Sequence, residues 1–199
     1  MESRTTGARL AVAAALLDLL LFATLHLASP GVDVRREPTS AYVHARLGPL
    51  LPVGQVAFGT AAVLVGLLWR RHRIAAVLLV LVGIAKVAQA FFPLDVPGTE
   101  PTTVGLLHNV LGNVAFWLLQ VAAALLARPL LVGDHRAVAV IGLLLAPTTV
   151  LVLVGSTLDF FGIAQRTYLV LASVWVLTLA ATRLRVPADH GVRLSLDEK

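Results

Sequence analysis

Two charged side chains, Asp18 and Lys86, fall inside long apolar runs of this 199-residue sequence. A charge at the centre of a spanning helix costs about 2.5–3.5 kcal/mol on insertion scales. Three arrangements could offset that cost: an ion pair that docks two helices, a pathway for protons or ions, or a Lys86 stem that snorkels outward. Asp18 stands about halfway along its run and Lys86 somewhat beyond halfway along its own. At about 1.5 Å of rise per residue their depths agree within a few ångströms. The expectation is an intramembrane ion pair between them.

A second set is polar but uncharged. Asn109, Asn113 and Gln120 recur at steps of four and seven, which puts them on one helical face, with His108 beside them. Asp18, Phe22 and His26 also share a face, and Lys86 and Gln89 are three residues apart. Amides turned toward lipid would go unsatisfied, so these stripes should face a common interior. There they either bond helix to helix, at about 0.6 kcal/mol per bond, or line a hydrated cavity.

Ser40, Asp95 and His108 include the residue types of a nucleophilic triad. A triad is defined by geometry, and no Gly-x-Ser-x-Gly elbow surrounds Ser40. His26, His44, His108 and Asp95 could offer nitrogen and oxygen ligands to a metal. Their spacing is not diagnostic, so no metal is assigned and no cofactor is named. The plainer alternative has Asp95 capping a connection, His108 bonding a neighbouring helix and Arg166 meeting a loop acid or a lipid phosphate. Cysteine is absent, which excludes disulfides, thiolate metal sites and cysteine nucleophiles.

These groups need elements to position them, and composition says what kind. Hydrophobic residues make up 58% of the chain and charged residues 14%, against about 45–50% and 25% in soluble domains. The surplus apolar surface must face lipid. Six runs approach the length of about 17–25 residues that a spanning helix needs: 8–28, 47–69, 74–92, 105–127, 137–156 and 167–182. They lack strict alternation and are rich in alanine and leucine, which argues against strands. The fold class expected is all-α, a polytopic bundle of six transmembrane helices over 1–185, with a short polar tail over 186–199. The first run contains Asp18 and is longer than the core of a usual signal peptide, so it reads as a span.

The connections alternate in character. Arg4, Arg9, Arg70, Arg71, Arg73, Arg128, Arg136, Arg183, Arg185, Arg193 and Lys199 fall on one side, and only Arg35, Arg36, Arg46 and Arg166 on the other. The positive-inside rule makes the first side cytoplasmic, with both termini there. The net charge of +5 is thereby a topology signal rather than a sign of nucleic-acid binding. The outer connections 29–46 and 93–104 are longer and proline-rich, the kind of loop on which function tends to be built. Gly48, Gly54, Gly59, Gly66, Gly105 and Gly112 read as close helix packing. Pro147 removes a backbone hydrogen bond within the fifth run.

Three segments together resemble a known family. They are Ser29-Pro30-Gly31 with Ser40 beyond it, Phe92-Pro93-Leu94-Asp95 followed by Thr103, Gly105 and His108, and Gly162-Ile163-Ala164-Gln165-Arg166 with Trp175. The chain is similar, over nearly its whole length, to the uncharacterised bacterial six-span membrane proteins grouped as domain of unknown function 998. The resemblance implies a six-span bundle and carries no activity. It points to Ser40, Asp95, His108, Gln165 and Arg166, all on the outer side.

The reading that follows is a multi-pass cell-membrane protein with an outward-facing polar vestibule. It would bind or translocate a lipid or small molecule through His108, Asn109, Asn113, Asp95, Arg166 and Gln165, with membrane lipids as partners. One alternative is a membrane-embedded hydrolase or lipid-modifying enzyme using His108 and Asp95, with Ser40 as a further candidate. Another is a helper subunit whose spans only pack against a partner. No oligomeric state follows from the residues.

Overall fold

The computed structural model describes residues 2–184; the expected tail over 186–199 lies outside the described residues. Six α-helices account for most of them: α1 (Glu2–Ala28), α2 (Leu50–Leu68), α3 (Arg73–Gln89), α4 (Thr103–Val132), α5 (Arg136–Gly155) and α6 (Phe161–Ala181). A short 3₁₀ helix, Thr39–His44, lies in the connection between α1 and α2. No strand occurs among the described residues. Each α-helix packs on the next in sequence, α6 returns to α1, and α2 also reaches α6. The result is a closed ring.

Five helices are long and apolar enough to cross a membrane: α1, α2, α4, α5 and α6. The third differs from expectation. It stops at Gln89 rather than Phe92 and has 17 residues, which is about 25 Å of helix against a hydrocarbon core of about 30 Å. Pro93 follows Phe92 and disfavours helical backbone there, and the chain leaves α3 through i→i+3 bonds such as Phe92 N–H to the Gln89 carbonyl. The fourth helix is longer than the apolar run, 30 residues, and carries Pro129 within its last turns. Pro147 sits inside α5 without ending it. The Thr148 and Thr149 hydroxyls beside it donate to the carbonyls of Leu144 and Leu145.

The packing pattern is that of a membrane protein. Small residues fill the interior, among them Ala11, Ala15, Ala61, Ala62, Ala122 and Ala180, while Leu20, Val77, Ile84, Leu106, Val121 and Val150 are exposed around the outside. Without a hydrophobic force between helices in lipid, close backbone approach and dispersion must hold them. The α2–α3 seam shows that approach most clearly. A Cβ built on Gly59 would lie 2.6 Å from the Gly83 carbonyl oxygen, and one on Gly66 would lie 2.7 Å from that of Ala76. The larger apolar side chains Val65, Leu79, Leu126, Trp175 and Leu179 complete the buried core.

Candidate functional site

A cavity of about 280 Å³ lies within the ring, toward the end that carries the connection between α1 and α2. Every helix contributes to it. Asp18 comes from α1, Gln55 from α2, Lys86 and Gln89 from α3, His108, Asn109 and Asn113 from α4, Thr149 from α5, and Gln165, Tyr168 and Ser173 from α6. Phe22, Phe58, Phe116 and Trp117 supply apolar wall. Most of these polar residues are buried or half-buried on the inward face of their helices, while Asn109 and Asn113 are exposed. Pro38, Thr39 and Ser40 of the first outer connection close the cavity from above.

The expected contact between Asp18 and Lys86 is not formed. Asp18 Oδ2 accepts a hydrogen bond from Ser173 Oγ at 2.6 Å, and Lys86 Nζ donates to Gln89 Oε1 at 2.6 Å. The physical reason is placement. The early end of α3 puts Lys86 in that helix's last turn, where the C-terminal end of the helix dipole favours a cation. Asp18 stands on the other flank of α2, against Gly54. Both side chains face the cavity without touching each other. Among the described residues the one ion pair is Arg36–Asp159, exposed in the outer connections.

Asp95 and Arg166 do not line the cavity, contrary to the expected binding set. Asp95 is spent on the start of α4. Its carboxylate accepts from the Thr102 hydroxyl at 2.6 Å and from the Thr102 backbone N–H at 3.0 Å, while Thr102 caps the helix by accepting from Gly105 N–H. Those two bonds hold the Asp95 carboxyl below the usual carboxylate range. A Cβ on Gly105 would overlap that carboxylate, so the glycine makes room for it. His108 Nδ1 donates to the Phe92 carbonyl at 2.6 Å, and Gln89 Nε2 donates to the His108 carbonyl. Together these bonds seat the connection 90–102 on the ends of α3 and α4.

Arg166 is buried, at 6% exposure, and is spent on the first outer connection. Nη1 donates to the carbonyls of Val34 and Glu37, Nε donates to Tyr42 Oη, and the guanidinium lies 5.1 Å from the centre of the Tyr42 ring. Tyr42 Oη also meets His26 Nδ1 at 2.8 Å. Gln165 Oε1 accepts from both the backbone N–H and the hydroxyl of Thr39, and Gly162 N–H donates to the Arg35 carbonyl. The 162–166 segment is thus a clamp that holds the cavity's roof. An arginine fork matches several fixed acceptors at once, which a lysine cannot.

No hydrogen bond joins Ser40, Asp95 and His108 among the described residues, and no three His, Asp or Glu side chains converge there as a metal site. His26, the other weak metal candidate, is taken up by Tyr42. Gln120 bonds the Leu145 carbonyl and the Thr149 hydroxyl across the α4–α5 seam. Asn113 donates to the Asn109 carbonyl of its own helix. Sequence reasoning missed Ser173, Gln55, Thr149 and Tyr168 as cavity residues. A buried serine opposite an intramembrane acid was the available signal, and only α6 facing α1 makes it meaningful.

The cavity has a mouth, identified by the residues that line it and are nonetheless exposed. These are Asn109, Asn113 and Trp117, at successive steps of four along α4, and Leu153 on α5. Trp117 and Leu153 are each 54% exposed. The exposed part of the lining therefore lies on α4 and α5.

No curated protein and no solved structure matches the chain. The family described as "Protein of unknown function (DUF998)" does match, over residues 12–182. With five apolar helices of spanning length and a match across nearly all of the described helices, the chain belongs to that family, as an integral membrane protein.

Proposed function

We propose that this protein is a six-span cell-membrane protein that binds a lipid or lipid-like small molecule, admitted sideways between α4 and α5. The observation that carries this reading is the position of the mouth. All of the cavity's exposed lining residues lie on α4 and α5, on a flank surrounded by Leu106, Val110, Val121 and Val150, which face lipid. Two amides at that mouth are ill suited to hydrocarbon and well suited to a polar headgroup. A polar interior with apolar walls fits an amphiphile, as small-molecule sites commonly do. A purely packing role leaves the cavity without a purpose, and hydrolysis is favoured by no contact among Ser40, Asp95 and His108.

Leu153→Trp places a large ring at the mouth without disturbing the core. Native mass spectrometry of the purified protein should show an amphiphile on the wild type that survives delipidation and is lost from Leu153→Trp. Equal retention by both proteins would sink the reading.

The orientation belongs to the same proposal. The short α3 counts as the sixth crossing, because it packs along α2 from Gly59 to Gly66. An even number of crossings puts both ends on one face, and the arginines at 70, 71 and 73 make that face cytoplasmic. A cysteine placed at Thr99 should react with an impermeant maleimide added to intact cells, and one at His72 only after lysis. The opposite pattern would invert the topology.

A further inference from the structure

The cavity's two charges bear on what kind of headgroup it takes. Lys86 can donate three hydrogen bonds and makes one within the protein, to Gln89. Asp18 uses Oδ2 on Ser173. Its Oδ1 faces Gly54, 3.5 Å from where a Cβ on that glycine would stand. Among the described residues the fully buried side-chain atoms without a partner are Ser29 Oγ, Arg166 Nη2 and Trp175 Nε1. Asp18 Oδ1 is not among them, and both Asp18 and Lys86 line the cavity. Asp18 stands against Gly54, and Val87, next to Lys86, against Gly59. Five residues of α2, about 7.5 Å of rise, separate those contacts.

Asp18 and Lys86 attract each other across the chamber without direct contact, and in a low dielectric each gains from a closer opposite charge. A bound anion would complement Lys86 and repel Asp18, and a bound cation would do the reverse. A ligand carrying both signs a few ångströms apart satisfies both. We infer that the cavity takes a zwitterionic amphiphile, with its phosphate or carboxylate on Lys86, its ammonium on Asp18 and its apolar arm leaving past Trp117 and Leu153. This rests on the lateral-mouth reading above. The phosphate-and-ammonium chemistry is shared by a lipid headgroup and by free O-phosphoethanolamine, and the test separates them.

The protein is reconstituted in nanodiscs holding equal phosphatidylethanolamine and phosphatidylglycerol, then released for native mass spectrometry. The wild type should retain the zwitterionic lipid about tenfold over the anionic one, a difference of about 1.4 kcal/mol. Asp18→Asn should abolish that preference, Lys86→Met should lower retention of both lipids, since both carry a phosphate, and Lys86→Arg, which keeps the charge, should retain them. Loss of retained lipid on adding O-phosphoethanolamine would identify the free headgroup as sufficient; no loss would identify the lipid. Both results support the inference. A wild type without preference, or one that prefers phosphatidylglycerol, overturns it, and this needs no variant to fold. If Asp18→Asn keeps the preference and Lys86→Met keeps full retention while Leu153→Trp loses the lipid, the charge assignment falls and the lateral site stands. If Leu153→Trp also retains its lipid, both fall.

Discussion

Arg166→Met should lower the protein's stability by about 3 kcal/mol or more and release the outer connection over 33–42 from α6. Three acceptors lose their donor at once: the carbonyls of Val34 and Glu37 and the hydroxyl of Tyr42. The two carbonyls are left unpaired, at about 1–3 kcal/mol for each buried polar group, while Tyr42 Oη keeps His26. Methionine does relieve the burden of a buried guanidinium, whose Nη2 has no partner. That relief is small here, since the charge already rests on carbonyl dipoles and on the Tyr42 ring at 5.1 Å. Arg166→Lys should recover only part of the loss, because an ammonium cannot reproduce a fork aimed at three fixed acceptors. Thermal unfolding in detergent measures the first effect, and amide exchange at 33–42 the second. An unchanged melting temperature with unchanged exchange would show that the clamp holds nothing. Since Pro38, Thr39 and Ser40 close the cavity, the same variant should also retain less amphiphile.

That prediction marks a limit on what the residues alone could say. Gln165 and Arg166 stood out, through the family resemblance, as outer-side polar groups, and a binding role was the natural reading. Which acceptors an arginine meets depends on the path of residues 29–46, a segment of prolines and turns with no periodicity to read. Asp95 has the same history. Its type suited catalysis, and its position two residues after Pro93 suited a cap; only the seven-residue return to Thr102 decides between them. Periodicity served better inside the helices. The stripe at Asn109 and Asn113 followed from rise and turn alone. The partners did not, because a helix's rotation is set by its neighbours in the ring. Ser173 meets Asp18 only because α6 closes on α1. The ends of α3 and α4 were misjudged for a simpler reason: apolar runs and helices end for different causes, the one by composition and the other by backbone bonding.

Gly83→Leu should lower the melting temperature by about 10 °C and reduce retention of the amphiphile as well. The contact at this position is backbone on backbone. A Cβ there would overlap the Gly59 carbonyl oxygen and come within 2.5 Å of Val63 Cγ2. Gly59 returns the same demand on Gly83, so neither helix can yield without moving. Overpacking a core costs about 1–3 kcal/mol when side chains can shift, and here the obstacle is main chain, so the upper end applies. For a chain of this size about 3 kcal/mol corresponds to roughly 10 °C. Gly83→Ala should fall between, and Gly31→Ala, with nothing within 4 Å of its added methyl, should leave the melting temperature where it was. The effect on binding follows from position. Lys86 lies less than one turn beyond Gly83, on the shortest helix of the ring. α3 reaches the cavity at the depth that it does because this seam lets it lie against α2. Prying the seam apart moves the ammonium away from the chamber while Asp18, carried by α1, stays. A Gly83→Leu protein that melted within 2 °C of wild type would show that the close approach of α2 and α3 is dispensable, and with it the account of how Lys86 is placed.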